Sequence, residues 1–275
     1  MRTLRYRSNS PDVFVLEELL VQLGYQVHIS NFFGKDTHEA VLDFQQKNSL
    51  VVDGIVGLKT WAKLIAKKEG LTKFNKKFLS EDDLKAFAEK FDVPLAAVKA
   101  VNEVESSGKG FLIDGRPRIL FEGHIFWKQL KLRGLDPTSF QEERLKNVLY
   151  KSWTKKHYEG GEQEYDRLEK AAGMSDIDAV HDAAYASASY GAFQIMGFHY
   201  NSLGYSSVDS FVADMYTHES AHLDAFGMYC KVNNLIRHMQ SQDWTKFALG
   251  YNGPQQAQNK YDIKLKKAFD KYNNL

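Results

Sequence analysis

The chain has little cysteine, little net charge and no long apolar run. Cys230 is the single cysteine among 275 residues, so no disulfide can form within the chain. The 36 Lys and Arg residues nearly balance the 35 Asp and Glu residues, and no basic run with interleaved aromatic residues occurs. We therefore expect no nucleic-acid partner. The apolar stretch from Val13 to Leu23 is interrupted by charge and is shorter than the roughly 20 residues of a membrane span. We therefore expect no insertion into a membrane.

The N-terminal residues Met1 to Asn9 are not followed by an apolar block of signal-peptide length. This pattern predicts synthesis and folding in a cytoplasm. A chain of 275 residues with 43% hydrophobic and 26% charged residues exceeds the usual size of one domain but has an ordinary globular composition. Two domains are therefore expected, and Cys230 is interpreted as a core residue.

Three amphipathic helices are predicted in the N-terminal part. Residues 12–23 carry leucine and valine at steps of three and four, and Gly24 follows. A second helix is predicted from Asp36, where Asp36 and Glu39 resemble a capping box. A third is predicted from Leu58 to about Lys68. The segment between the last two contains Asp53-Gly54 and Gly57, which permit a tight reversal of the backbone.

Three short motifs in this part resemble the peptidoglycan-binding domain of many cell-wall hydrolases. They are Phe44-Gln45-Gln46, Val52-Asp53-Gly54-Ile55-Val56-Gly57 and Thr60-Trp61. The resemblance covers roughly residues 10–66. It implies a three-helix bundle that attaches the chain to the bacterial wall. Trp61 is interpreted as a core residue rather than a ligand platform.

The predicted organisation is a wall-binding domain at 1–68, a lysine-rich linker at 69–79 and a second domain at 80–275. Ser80 and Asp83 indicate a new helix start. The fold class is mainly α, with a three-helix bundle followed by an α-rich domain that contains a small β-hairpin, predicted through Asp114-Gly115 and Arg118 to Phe121.

Two glutamates near the end of one predicted helix have opposite expected environments. Asp92 is predicted to cap this helix, whose apolar stripe runs through Val98 and Val101 to Glu105 four residues later. Glu103 lies four residues after Lys99 and is expected to pair with it on the wet face. A carboxyl group at the end of a buried stripe has a raised pKa, which suits a general acid. A buried glutamate bonded to a backbone amide remains the structural alternative.

Three motifs occur in order, at Val104–Phe111, Ser189–Met196 and Tyr251–Pro254. They resemble the E-S-x-G, S-x-G-x-x-Q-I and Y-N-x-G elements of goose-type lysozymes and lytic transglycosylases. Three further segments look more closely like the N-acetylmuramidase family of phage endolysins from Gram-negative hosts. They are Arg118–Phe126, Tyr158–Glu162 and Glu164–Leu168. This resemblance spans about residues 80–270 and implies a lysozyme-like fold that cleaves peptidoglycan.

The resemblance makes Glu105 the catalytic proton donor. Glu122 is the best candidate for a second catalytic carboxylate, and Asp114 is a weaker one. A misplaced second carboxylate would favour lytic transglycosylation over hydrolysis. The predicted substrate-binding residues are Ser189, Gln194, Tyr251 and Asn252.

His218-Glu219-Ser220-Ala221-His222 also fits the H-E-x-x-H pattern of zinc peptidases. This short pattern often arises by chance, and no third ligand stands out. His218 and His222 also fall on one helical stripe with Phe211, Met215 and Tyr229, which favours packing. We therefore expect no metal and no other cofactor.

The sequence thus predicts an enzyme that binds peptidoglycan and hydrolyses the β-1,4 bond between N-acetylmuramic acid and N-acetylglucosamine. Lytic transglycosylase, zinc peptidase and non-catalytic wall-binding protein are the alternatives. The resemblance implies action as a monomer at the periplasmic wall, a host-cytoplasmic location until lysis, and a holin-type partner for export.

Overall fold

The fold was analysed in a computed structural model that describes residues 3–66, 77–106, 110–112, 114–140, 142–254 and 256–274. The chain divides into two compact units, Met1–Lys76 and Lys77–Leu275. Each unit is built around its own hydrophobic core. Of the predicted linker, residues 69–76 lie outside the described residues, as do the last two residues of the third predicted helix.

The first unit contains the three predicted helices: α1 at Pro11–Gln22, α2 at Lys35–Lys47 and α3 at Leu58–Ala66. Pro11 opens α1 at a position where a helix needs no amide proton. The core is formed by apolar side chains of the three helices and by Phe33 and Val56 between them. Trp61 is buried in this core, so its interpretation as a core residue is confirmed.

The predicted capping box at Asp36 and Glu39 is wrong. Gly34 precedes the first turn of α2, and no side chain caps it. The Asp36 carboxylate instead accepts a hydrogen bond from the His28 amide at 2.9 Å. Asp36 therefore fixes the preceding loop, and the pKa of its carboxyl is lowered mainly by that bond.

The Asp53-Gly54 reversal is held by Gln45 of α2. The Gln45 Oε1 atom accepts hydrogen bonds from the Asp53 amide at 3.1 Å and the Gly54 amide at 2.8 Å. Gly54 has a positive φ of 67°, and a Cβ there would lie 2.1 Å from Cε1 of His38. Gln45 and Gly54 of the sequence motif thus have structural roles.

The second unit is mainly helical, as predicted. Its helices, in chain order, are α4 at Glu81–Phe91, α5 at Leu95–Glu105, α6 at Gly123–Leu132, α7 at Gln163–Ala172, α8 at Asp178–Ala186, α9 at Val208–Met215, α10 at Glu219–Val232, α11 at Ile236–Gln240, α12 at Trp244–Asn252, α13 at Gln256–Asn259 and α14 at Tyr261–Asn273. Short 3-10 helices lie at Pro137–Phe140, Glu143–Leu145 and Gly197–His199. Within the described ranges, no helix is long and apolar enough to cross a membrane.

Two predicted helix starts have different outcomes. Ser80 and Asp83 form a capping box at α4, as predicted. Asp92, predicted to cap α5, instead ends α4 in the left-handed conformation, and Pro94 precedes the first turn of α5. Lys77 and Leu79, ahead of α4, already bond within this unit: Lys77 Nζ donates to Gly115 O at 3.0 Å, and the Leu79 amide donates to Glu219 at 3.0 Å.

A small antiparallel sheet has the order β1 (Ile119–Phe121), β2 (Ala188–Tyr190) and β3 (Ile195–Met196). Phe121 pairs with Ala188, and Ser189 pairs with Met196. The hairpin is therefore β2–β3, whereas the predicted hairpin at Asp114-Gly115 is reduced to one bridge between Phe111 and Pro117. The partner of β1 lies far away in sequence, so local turn signals could not find it.

Candidate active site

Glu105 is the last residue of α5, four residues after Val101. Val98 and Val101 are each 1% exposed, so this face of the helix points into the core. Asn252, the last residue of α12, donates from Nδ2 to Oε1 of Glu105 at 3.0 Å. The ends of two helices thus bring together a carboxyl and an amide that are 147 residues apart.

Burial raises the pKa of the Glu105 carboxyl above its ordinary value. The hydrogen bond from Asn252 and the charge of Lys264 act in the opposite direction but do not cancel it. Glu105 therefore keeps its proton to higher pH than an exposed glutamate, as a general acid requires.

Glu103 has the opposite environment, as predicted, but a different partner. Its carboxylate accepts hydrogen bonds from Lys271 at 2.7 Å and Tyr272 at 2.5 Å, both on α14. Lys99, the predicted partner, pairs with Glu81 at 2.6 Å instead. The bond from Lys271 is the main cause of the lowered pKa of Glu103.

A cavity of about 300 Å³ lies in front of Glu105. It is lined by Glu105, Phe193, Gln194, Ile195, Met196, His199, Tyr229, Tyr251 and Asn252. The structure thus brings together four of the six predicted site residues. Within the part of the chain that the structure describes, Glu105 is the one carboxylate that lines this cavity.

Ser189 supports Gln194 from outside the cavity lining. Ser189 Oγ donates to Oε1 of Gln194 at 2.9 Å, and Nε2 of Gln194 donates to Gly191 O at 2.8 Å. The backbone of Gln194 has a positive φ of 51°, which is unusual for a residue other than glycine. These bonds fix both the strained backbone and the amide of Gln194 at the cavity wall.

Tyr251 forms part of the cavity wall and is tied to the β2–β3 turn. Its hydroxyl donates to Phe193 O at 2.9 Å, and its ring stacks on Phe247 with a centroid distance of 5.9 Å. Burial raises the pKa of the Tyr251 hydroxyl well above its ordinary value. Tyr251 therefore offers a rigid, neutral surface.

His199 and Tyr229 also line the cavity, but neither was predicted from the sequence as a site residue. Their rings meet edge to face at 5.0 Å, and burial lowers the pKa of His199. His199 is therefore neutral near pH 7. The sequence predicts Tyr229 as part of a packing stripe. His199 lies three residues after the Gln194–Met196 motif, and this proximity is the signal in the sequence that points to it.

Glu122, predicted as the second catalytic carboxylate, lies before the first turn of α6 rather than in the lining of this cavity. Its two carboxylate oxygens lie 2.7 and 2.8 Å from the Tyr158 hydroxyl, which donates to them. Burial raises the pKa of Glu122. Asp114, the weaker candidate, accepts a hydrogen bond from Nε of Arg116 at 2.6 Å.

Glu164 and Arg167, from the Glu164–Leu168 motif, form a buried ion pair beside β1. Glu164 Oε2 and Arg167 Nη1 are 2.7 Å apart, and the side chains are 0% and 1% exposed. Glu164 also accepts from the Phe121 amide at 3.1 Å, and Arg167 donates to Phe121 O at 2.9 Å. The motif therefore fixes the strand that leads to Glu122.

The residues of the H-E-x-x-H segment form hydrogen bonds that hold the surrounding structure. His218 accepts from the Ser220 amide at the start of α10, and Glu219 accepts from the Gly110 amide at 2.9 Å. His222 donates from Nε2 to Met215 O at 2.7 Å and accepts at Nδ1 from the Ala192 amide at 3.2 Å. Both ring nitrogens of His222 are engaged, so neither offers a lone pair to zinc.

Among the residues that the structure describes, one other group has the composition of a metal site. The ligand atoms of His181, Asp182 and Asp209 lie within 4.8 Å of one another at a partly exposed position. Exposed acidic groups of this kind are common without a metal ion, and nothing else around them indicates a ligand.

The chain matches two protein families and is similar to a solved structure. Residues 94–273 match the family described as N-acetylmuramidase, and residues 9–64 match a putative peptidoglycan binding domain. Among solved structures, the chain is similar to the crystal structure of a Burkholderia AP3 phage endolysin, at 38% sequence identity and a TM-score of 0.69. That match covers 100% of both chains.

Proposed function

Because this chain belongs to the N-acetylmuramidase family, we propose that Glu105 is the general acid of its reaction. The protein is a lysozyme-type glycoside hydrolase that also carries a peptidoglycan-binding domain. It binds peptidoglycan and hydrolyses the β-1,4 bond between N-acetylmuramic acid and N-acetylglucosamine. The observation that carries the proposal is the half-buried Glu105 carboxyl, with a raised pKa, on the wall of a cavity.

In the proposed reaction, Glu105 gives its proton to the glycosidic oxygen while the bond from that oxygen to C1 of the muramic acid breaks. Water then attacks C1 and loses a proton to the Glu105 carboxylate, which restores the acid. Gln194 and Asn252 are proposed to bind the sugar, with Tyr251 as a stacking surface and Ser189 as the support of Gln194.

The role of Glu122 as a second catalytic carboxylate stays a prediction. Glu122→Gln keeps the size of the side chain and its ability to accept the Tyr158 hydroxyl, but it removes the charge. Loss of lysis at an unchanged unfolding temperature would support a catalytic role. Unchanged lysis would assign Glu122 to the structure around Tyr158.

The similarity to a phage endolysin supports the same biological role for this chain. We propose that it is an endolysin that acts as a monomer and stays in the host cytoplasm until lysis. A holin-type partner would then give it access to the periplasmic peptidoglycan. The proposed domains are a wall-binding domain at 1–68, a linker at 69–79 and a catalytic domain at 80–275.

The products of peptidoglycan digestion test the proposed reaction directly. Hydrolysis leaves a reducing N-acetylmuramic acid, which borohydride converts to the corresponding alcohol. We expect mass spectrometry of digested, reduced murein to show these ends. Anhydro-muramic ends would indicate lytic transglycosylation, and new free amines on uncut glycan would indicate a peptidase or an amidase.

The pH dependence of kcat tests the pairing of Glu105 with Asn252. A general acid is active while protonated, so activity falls as the pH rises through the pKa of Glu105. The Asn252 amide stabilises the charged carboxylate and lowers this pKa. Asn252→Ala should therefore raise the pKa further and move the alkaline limb of the profile to higher pH.

The control for this measurement is Asn233→Ala. Asn233 follows α10, and its side-chain Nδ2 donates to Tyr229 O at 2.8 Å. Among the described residues, no carboxylate is hydrogen-bonded to Asn233. The alkaline limb of the kcat profile of Asn233→Ala should match that of the wild type. A limb that stays in place or moves to lower pH in Asn252→Ala would contradict the proposed pairing.

A further inference from the structure

A tight turn in the wall-binding domain presents Tyr6 and Arg7 at its tip. The Ser8 amide donates to Arg5 O at 2.8 Å, and the Arg5 amide donates to Oγ of Ser8 at 3.0 Å. The Arg7 amide donates to Phe33 O at 3.0 Å. These bonds fix the turn against the segment that leads into α2.

Arg7 has a positive φ of 72°, a conformation that glycine adopts without strain and arginine does not. Turns of this kind usually carry glycine or asparagine. The surrounding hydrogen bonds hold the arginine in the strained conformation, and such strain in folded proteins concentrates at functional sites. Among the described residues, no carboxylate lies within ion-pair distance of Arg7.

Tyr6 and His38 form an aromatic surface beside Arg7. Tyr6 is 44% exposed, its ring centroid lies 5.4 Å from that of His38, and the Arg7 guanidinium lies 5.5 Å from the Tyr6 ring. The His38 ring rests on Gly54, where even a Cβ would clash. Nδ1 of His38 is buried, with no hydrogen-bond partner in the part of the chain that the structure describes.

We infer that Tyr6, Arg7 and His38 form the wall-binding site of this domain, and that its ligand is an N-acetylated sugar carrying an acidic peptide. The apolar face of the sugar stacks on Tyr6, with the ring edge toward His38. Arg7 pairs with a carboxylate of the stem peptide. The inference rests on the proposed peptidoglycan binding and assigns residues to it.

A second pair of an aromatic and a basic residue in the same domain, half-buried Tyr25 and exposed Lys47, serves as a control. Lys47 lies 5.6 Å from the Tyr25 ring, but its ammonium is paired with Asp43 at 2.7 Å. Lys47 is thus already neutralised, whereas Arg7 has its charge available for a ligand. Tyr25→Ala with Lys47→Ala should leave wall binding unchanged.

The test measures binding of the full chain to purified sacculi by sedimentation, with Glu105→Gln present in every variant so that the wall is not digested. A reference variant, Leu16→Asp, disrupts the buried core of the wall-binding domain. The affinity that this variant loses is the part that depends on the wall-binding domain. We expect Tyr6→Ala and Arg7→Gly each to weaken binding by about tenfold, as loss of one strong contact does.

Arg7→Gly has a second readout that a merely structural role would not give. Glycine relieves the positive φ, so the unfolding temperature should stay level or rise while binding falls. Arg7→Lys should retain part of the affinity. On sacculi whose carboxylates have been converted chemically to neutral amides, Arg7→Gly should bind as the parent does.

The outcomes separate this inference from the proposed function. If Leu16→Asp binds sacculi as tightly as its parent, the wall-binding function of the domain is wrong. If Leu16→Asp binds weakly but Tyr6→Ala and Arg7→Gly bind normally, the site lies elsewhere and the inference is overturned. If Arg7→Gly loses equal affinity on the amidated sacculi, the pairing of Arg7 with a peptide carboxylate is overturned.

Discussion

Glu105→Gln is expected to fold and bind the wall but to lose lysis by on the order of 100-fold or more, because glutamine cannot donate the proton that the leaving oxygen needs. Glu103→Gln is the matched control two residues away. It weakens contacts to Lys271 and Tyr272 on an exposed surface, so lysis and unfolding temperature should stay close to those of the parent.

Both variants are measured by turbidity of outer-membrane-stripped cells and by thermal unfolding. The unfolding curve separates a catalytically inactive protein from a collapsed one. A folded Glu105→Gln protein with near-normal lysis would remove Glu105 from the reaction. Equal losses in both variants would point to a shared structural effect of the α5 terminus.

The environment of Glu105 was predictable from sequence because it follows from helix geometry. A step of four residues from Val101 stays on the buried face, whereas Glu103 is rotated by roughly 200° from Glu105. The partners of both glutamates were not predictable from this local pattern. Asn252 and Lys271 reach α5 from the C-terminal helices, 147 and 168 residues away.

The small sheet shows the same limit. β1 was predicted at the right residues, but its partner β2 lies beyond α6, α7 and α8. Local turn signals pointed to Asp114-Gly115, and the actual hairpin uses Gly191, which approaches His222 so closely that a Cβ would lie 2.6 Å from its ring. His222 of the H-E-x-x-H segment supports this turn by accepting a hydrogen bond from the Ala192 amide, a long-range contact that no five-residue pattern reveals.

The family motifs divide into two physical classes that look alike in sequence. Gln194, Tyr251 and Asn252 line the cavity beside Glu105. The Glu164–Leu168 motif instead contributes a buried ion pair that holds the backbone of β1. A motif can therefore be specific for a family because it builds the scaffold of the site, without contact to the substrate.

Arg167→Met tests this structural role and is expected to lower the free energy of unfolding by about 3–5 kcal/mol, because it leaves the buried Glu164 carboxylate without its countercharge. The guanidinium also donates to Phe121 O at 2.9 Å and to Asn147 O at 3.0 Å, so one buried and one partly buried carbonyl group lose a donor as well. Arg144→Met is the matched control, because Arg144 pairs with Glu142 at 2.6 Å on the exposed surface. The free energy of unfolding of this variant should stay close to that of the parent. Urea unfolding of both variants gives the comparison, and an Arg167→Met protein as stable as Arg144→Met would show that the motif does not hold the strand.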